Sequence, residues 1–433
     1  MNWSWIKSKQ LKAVLPVAIL GSVLTHAYFF PEPSHPIMYQ SVLASETPKT
    51  EVDPLMAEVL RQLEASKNLG QQTGTPKSDS PPITSEGVCK DCEKNVADEV
   101  KYETCNSSNN YLDKKLSALE LEQDSLFSEL LNEEPDPEAL ISPKCTRMAM
   151  SIKLAANAKN FKSCESGSYT SKSEIVRPCI NKKYHALMHN SFDLVARCMT
   201  PLLGSNAREQ KQSILMLMGL FTQESSFHMN AVSGSGAGGV GQMTEGAINF
   251  VNTAYLPTIK ESFLASGHGC DQIADEFLAG ASPMAADKKN SCDRISLSNG
   301  NPVTGMVYAM TNIYGMMSEL QSDIFESDRY SEKFNLPPQE LFRLKLKLAI
   351  WSHNTGLAGT EFPLRSLLKS TYARKPVTNV DQFLKEMTAA YTKWPHPEND
   401  TSSRRKETSE YLGYIEEQIV NIETATGGYS CIQ

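Results

Sequence analysis

The sequence is short of positive charge. Its 42 lysines and arginines face 50 aspartates and glutamates, a net charge of −8 over 433 residues. A nucleic-acid partner demands a basic face, so that class is excluded, and nothing electrostatic draws the chain toward an anionic polymer. Recognition has to be local. Metal chemistry lacks its parts as well. Cys89-x-x-Cys92 has no second close Cys-x-x-Cys and no histidine pair to complete a zinc or redox site. His185-Ala-Leu-Met-His189 has the spacing of two ligands on one helix face but not the glutamate of a metalloprotease motif. Neither a metal nor another cofactor is expected. Alternating apolar and polar runs are few beyond about residue 143, and internal repeats are absent, which leaves an all-α chain as the expected class.

What is present begins with an export pattern. Lys7, Lys9 and Lys12 precede an apolar stretch from Ala13 to Leu24, and Thr25-His26-Ala27 offers a small-residue cleavage site. Residues 1–27 therefore read as a signal peptide or an N-terminal anchor, since extension through Tyr28-Phe29-Phe30 would allow membrane anchoring. No cysteine follows the stretch to take a lipid. Ten cysteines in a chain bound for an oxidising compartment imply disulfides. Cys270 with Cys292 is the expected pair, because both lie in one segment that would otherwise be a long unrestrained loop.

Composition divides the rest. Residues 28–88, rich in Pro, Ser, Thr and Glu without a repeated apolar pattern, read as a disordered linker. Residues 89–142 read as a helical extension carrying cysteines, with an amphipathic helix over Leu116 to Leu131. Residues 143–433 carry helical patterns and 40% of the whole sequence is hydrophobic, enough for a sizeable core. Methionines at 216, 218, 243, 310, 316 and 317 read as adaptable core filler. Phe342 to Trp351 alternates like a strand, but Pro337-Pro338-Gln339-Glu340 before it is a helix start.

The most informative stretch is Ser213-Ile-Leu-Met-Leu-Met-Gly-Leu-Phe221, apolar nearly all round and suited to a buried helix. Glu224 sits where that helix should end, where apolar surroundings and the negative end of the helix dipole favour a proton-holding acid. A glycine-rich loop follows at once. Gly234-x-Gly236-x-x-Gly239 fits the dinucleotide fingerprint, but a helix precedes it where that fingerprint needs a strand. Glycine there suits a sharp turn and close approach to a bulky saccharide, with Ser233 and Gln242 offering hydrogen bonds. A second carboxylate, Glu245, follows Thr244 and reads as the acidic first turn of the next helix.

Glu224-Ser225-x-Phe227, Ala231-x-Ser233-x-x-Gly236-Ala237-x-Gly239-Val240-x-Gln242, Ser352-His353-Asn354-Thr355-Gly356 and Glu407-Thr408-Ser409-Glu410-Tyr411 together resemble the four motifs of the lytic transglycosylase domain of the lysozyme superfamily. The resemblance covers roughly the C-terminal half of the chain. It implies a lysozyme-like catalytic domain over 143–433, periplasmic, acting on the glycan strands of peptidoglycan. Glu224 would be the catalytic acid and base, with Ser225, Ser233, Gln242, His353, Asn354 and Tyr411 binding the substrate. Ordinary glycosidases need two carboxylates, whereas this family works with one. Two features depart from the family pattern. His353 stands where a tyrosine is usual, which would make activity weak or pH-gated if the imidazole lies by Glu224. The segment from Phe250 to Gly300 reads as an insertion able to reshape or cover the cleft. A goose-type muramidase using water, with Glu245 as base, and a non-catalytic wall-binding protein are the alternatives.

Overall fold

A computed structural model describes Tyr102 and most of residues 126–433; within that span 133–135, 137–138, 158–161, 164–178, 230, 234–236, 281–282, 285–300, 394–401 and 429 lie outside the described residues. So do the export segment, the linker 28–88, most of the extension 89–142, and with them Cys89, Cys92, Gly234, Gly236 and Cys292.

Helix dominates, as the scarcity of alternating runs implied. In order come α1 (Leu126–Leu130), α2 (Pro143–Asn157), α3 (Lys182–Leu203) and α4 (Ala207–Ser225). After a loop, α5 (Glu245–Phe250) passes through a π turn at Val251–Tyr255 into α6 (Leu256–Ser266), and α7 (Cys270–Gln272) runs into a second π turn at Ile273–Phe277. Then follow α8 (Pro302–Leu320), α9 (Pro338–Thr355), α10 (Leu357–Lys369), α11 (Val380–Lys393) and α12 (Ser402–Ala425). The extended backbone is slight: β1 (Lys162–Ser163) pairs antiparallel with β2 (Ala231–Val232). The chain is all-α. Its helix starts follow local chemistry, for the side chains of Asn181, Asn206, Thr244 and Asn301 accept from Tyr184, Glu209, Ala247 and Val303 amides. Each such cap satisfies a backbone donor that has no partner within its helix, contributing about 1 kcal/mol.

Helix α8 is the central element. Pro302 to Ile313 is buried without a break, and the helix packs chiefly on α9 and α3. A helix apolar on all sides belongs in a core. The same reasoning holds for α4, where Ser213, Ile214 and Met216 to Thr222 are buried. Met216, Met218, Met243, Met310 and Met316 are buried as core filler, and Met317 packs against the core.

Helix α9 absorbs the alternating Leu-Lys pattern by giving its lysines specific partners. Lys347, 5% exposed, reaches Glu416 at 2.5 Å on α12 and Asp381 at 3.5 Å on α11. Lys345 lies over the Phe325 ring at 5.2 Å. A buried ammonium is tolerated when paired, so period two in the sequence is compatible with period 3.6 in the fold.

Two disulfides join described residues, Cys179 is disulfide-bonded as well, and one of the two corrects an expectation. Cys270 is bonded to Cys198 on α3 and not to Cys292. The reason lies in the packing of the 250–300 segment. Its described first part is core rather than a loose loop: Val251, Leu256, Ile259, Phe263 and Ile273 are buried. With α7 held on α3, Cys270 meets a helix already in place. Cys145 bonds Cys431 across 286 residues. The chain end is further tied there by Ser142 N to Cys431 O at 2.9 Å and Gln433 N to Leu140 O at 2.9 Å. Closing so long a loop stabilises the fold by about 5–6 kcal/mol in the chain-entropy account.

Candidate active site

The site is set by how closely α4 and α12 pack. A Cβ on Gly219 would meet the Ile419 side chain at 2.8 Å and the Ile415 carbonyl at 2.9 Å. Only glycine lets the two helices approach so far. One turn from Ile415 on α12 lies Tyr411, and just over one turn beyond Gly219 on α4 lies Glu224. The Tyr411 hydroxyl donates to Glu224 Oε1. Burial first, and the Glu224 carboxylate second, push the Tyr411 phenol well above its ordinary range. Tyr411 therefore stays a protonated donor at any physiological pH. Glu224 itself is half-buried, with a face toward solvent.

Helix α4 ends abruptly after Ser225. Ser226 and Phe227 adopt left-handed backbone, with φ of 52° and 60°. For side chains this costs about 1–3 kcal/mol each, so surrounding contacts must enforce it. The Ser226 amide caps the helix on Phe221 and Thr222 carbonyls. Phe227 is fully buried, edge-on to Phe192 at 5.4 Å and Phe221 at 5.8 Å, and its carbonyl accepts from the Tyr184 hydroxyl at 2.9 Å. The chain is thus turned away from the helix axis immediately beyond Glu224, leaving the carboxyl at a helix end with no continuing turn over it.

Ser225 is fully buried, and its hydroxyl donates to Val240 O at 2.7 Å. It ties the end of α4 to the loop and, being fully buried, presents no surface to a ligand. Gln242, at φ 48° and 8% exposed, spends its amide protons on Ala231 O at 3.0 Å and Gly239 O at 2.9 Å. Its carboxamide oxygen is the group left for a ligand. Ser233 closes the loop from the other side, accepting from Ala237 N at 3.1 Å. Gly238 and Met243 exchange backbone bonds of 3.1 and 2.9 Å, which folds 238–243 into a tight hairpin. Gly239 takes φ 76° in it, a region favouring glycine.

His353 does not touch Glu224 in the way a pH gate requires. Its Nε2 lies 2.8 Å from Gly241 O and its Nδ1 3.0 Å from Asn312 Nδ2. A carbonyl accepts, so Nε2 carries the proton and Nδ1 accepts from the amide. The imidazole is a strut between α9, α8 and the loop. Asn354 is exposed, and its Oδ1 accepts from Thr408 Oγ1 at 3.1 Å, while Trp351 Nε1 donates to Thr408 O at 2.8 Å. Glu245 is half-buried in the first turn of α5, behind the Thr244 cap.

The four motif segments therefore meet: the second ties back to the first through Ser225 and Val240, the third to the second through His353 and Gly241, and the fourth reaches Glu224 through Tyr411 and Asn354 through Thr408. Sequence reasoning missed Gly219, Gly241, Tyr184 and Asn312. The glycines had a signal, for a glycine inside an apolar helix often marks a close approach. Asn312 and Tyr184 had none. Close approach at Gly241 is to α8 and not to a sugar: a Cβ there would stand 2.4 Å from the Ala309 Cβ. Gly241→Ala should accordingly destabilise the protein by about 1–3 kcal/mol, as overpacking does, and Ala309→Gly in the same chain should recover part of the loss. Urea unfolding of the two single variants and the double variant checks this; additive losses would deny the contact.

Set against other proteins, the chain matches no protein-family model, no curated protein and no solved structure.

Proposed function

We propose that the chain is a peptidoglycan lytic transglycosylase built on a lysozyme-like domain, exported to the periplasm. The observation that carries this reading is the Tyr411 hydroxyl on Glu224 Oε1. Two short segments, chosen in the sequence for their resemblance to one family, are joined at one carboxyl across 187 positions. Nothing about their spacing along the chain demands that.

The chemistry follows from one acid. The Tyr411 donor occupies Oε1 and orients the carboxyl, leaving Oε2 for the substrate. Protonated Glu224 gives its proton to the glycosidic oxygen between N-acetylmuramic acid and N-acetylglucosamine as that bond breaks. The resulting carboxylate then takes the proton of the muramyl 6-hydroxyl, whose oxygen closes on C1 to form the 1,6-anhydro ring. Glu224 ends protonated, ready for another cycle, and no water is consumed. The carboxamide oxygen of Gln242 and the side chain of Asn354 stand as positioning groups. The helix-start placement of Glu245 favours this route over hydrolysis, which would ask it to hold a water opposite Glu224.

Mass spectrometry of muropeptides released from purified peptidoglycan is the test. Anhydro-muramyl products are expected. Products heavier by one water would instead mean a muramidase, and absence of release with retained sedimentation on the wall would mean a binding protein.

A further inference from the structure

Two neighbouring carbonyls of the 238–243 hairpin are each held by a side chain from outside it. Val240 O accepts from the Ser225 hydroxyl at 2.7 Å, and Gly241 O accepts from His353 Nε2 at 2.8 Å. The second bond fixes one edge of the peptide between Gly241 and Gln242. On its other edge, Gln242 N donates to Gly239 O at 3.2 Å. That peptide leads into Gln242 at φ 48°, a left-handed conformation that a residue with a side chain keeps only when its surroundings enforce it. Without the hold on Gly241 O, the peptide is free to rotate and Gln242 to relax toward ordinary backbone, carrying its carboxamide along. What moves is the carboxamide oxygen offered to a ligand, because both amide protons are spent on Ala231 O and Gly239 O.

His353 is itself held by Asn312. This residue lies within α8, 1% exposed, and its Nδ2 donates to His353 Nδ1 at 3.0 Å. Nε2 faces a carbonyl and carries the proton, so Nδ1 is a lone pair in need of a donor. An imidazole bonded at one nitrogen can still swing about its side-chain torsions; bonded at both, it is locked. Ala309, one turn before Asn312 on α8, bears on the same hairpin residue, since a Cβ on Gly241 would stand 2.4 Å from the Ala309 Cβ. Helix α8 therefore acts on Gly241 twice, by direct contact through Ala309 and by hydrogen bonds through Asn312 and His353.

We propose that Asn312 and His353 are positioning residues of the glycan-cleaving site: together they hold the Gly241–Gln242 peptide and, through it, aim the Gln242 carboxamide oxygen at the substrate. Their part in turnover rests on the transglycosylase reading, whereas their hold on the hairpin rests on the geometry alone. Glu224 is carried separately, at the end of α4 and bonded by Tyr411 of α12. Loss of the hold therefore acts on substrate affinity and spares the acid.

Three variants test this. His353→Phe keeps a ring and removes both bonds, Asn312→Leu removes the second bond alone, and His353→Gln offers one donor and one acceptor as the Nε2–H tautomer does. The first measurement is hydrogen exchange of the Gln242 and Met243 amides in the full, oxidised protein without ligand. Exchange should be faster by about tenfold in His353→Phe and Asn312→Leu and close to the parent in His353→Gln. The second is release of anhydro-muropeptides from soluble peptidoglycan fragments. KM should rise by about tenfold in His353→Phe with kcat within about threefold, and His353→Gln should recover most of the loss. In a Gln242→Ala background His353→Phe should add little, because the oxygen it aims is gone. Circular dichroism verifies folding, and if His353→Phe does not fold, Asn312→Leu carries the same measurements. Exchange unchanged in the variants, a fall in kcat at constant KM, or additive effects of the His353 and Gln242 substitutions would each overturn the proposal. A parent that releases nothing would remove the transglycosylase reading and the role in turnover with it, and the exchange rates would then decide the hold on the hairpin by themselves.

Discussion

Glu224→Gln should lower the release of anhydro-muropeptides by at least about a hundredfold, a loss of about 2.7 kcal/mol or more in transition-state stabilisation. The substitution keeps the shape of the side chain and an oxygen able to accept from Tyr411, so the α4–α12 contact survives while the transferable proton is lost. Melting temperature should accordingly change by no more than about 2 °C. That separation matters, because Glu224 lies at the end of a helix whose preceding turns are core, and a destabilised protein would lose activity for an uninteresting reason. Rates measured on purified peptidoglycan under conditions where both proteins are fully folded decide the matter. Activity within a few fold of the parent would end the transglycosylase proposal, since Glu224 is the carboxylate to which the Tyr411 hydroxyl donates.

How much of this was legible in the sequence depends on the kind of interaction. Helix α4 was legible because Ile214 to Phe221 are apolar on every side, and burial follows from that pattern regardless of tertiary detail. The start of α5 was legible because Thr244 and Glu245 act on their own backbone. The role of His353 was not. Its partners, Gly241 O and Asn312 Nδ2, are 112 and 41 positions away, and the pairing is decided by how α8 and α9 pack. The family resemblance implied a substrate contact for Ser225, yet a side chain one position on from Glu224 in a helix points about 100° away, and here that direction is into the loop. The Cys270 pairing failed for a related reason. Proximity in sequence favours Cys292 entropically, but Leu256, Ile259 and Phe263 bury the segment against the core and bring Cys270 to α3.

Acid should unfold this protein through two histidines before most carboxylates are titrated. His185 and His189 lie one helical turn apart on α3, 7% and 2% exposed, their ring centroids 5.9 Å apart. Burial lowers His185 from 6.5 to about 4, with Arg147 adding to it against the Pro143 carbonyl. Burial also lowers His189 from 6.5 to about 3, with His185 and Arg197 repelling a second positive charge. In the unfolded chain both rings bind a proton below about 6.5, whereas in the folded chain neither does until pH is near its own lowered value. The unfolded state therefore holds more protons throughout that window, and stability rises with pH across it. The contribution is whole above pH 6.5, falls as pH drops toward 4, and is fully lost below about 3, a change of several kcal/mol. Asp193 and Glu361, pushed up by burial, act in the opposite sense, since a carboxyl that holds its proton more tightly when folded gains stability on acidification. Comparison of variants removes that background. Urea midpoints for the parent should fall steeply between pH 6.5 and 4, and His185→Gln/His189→Gln, though less stable at neutral pH, should show a much flatter fall. Parallel curves for the two proteins would mean that the histidines are protonated in the folded state after all.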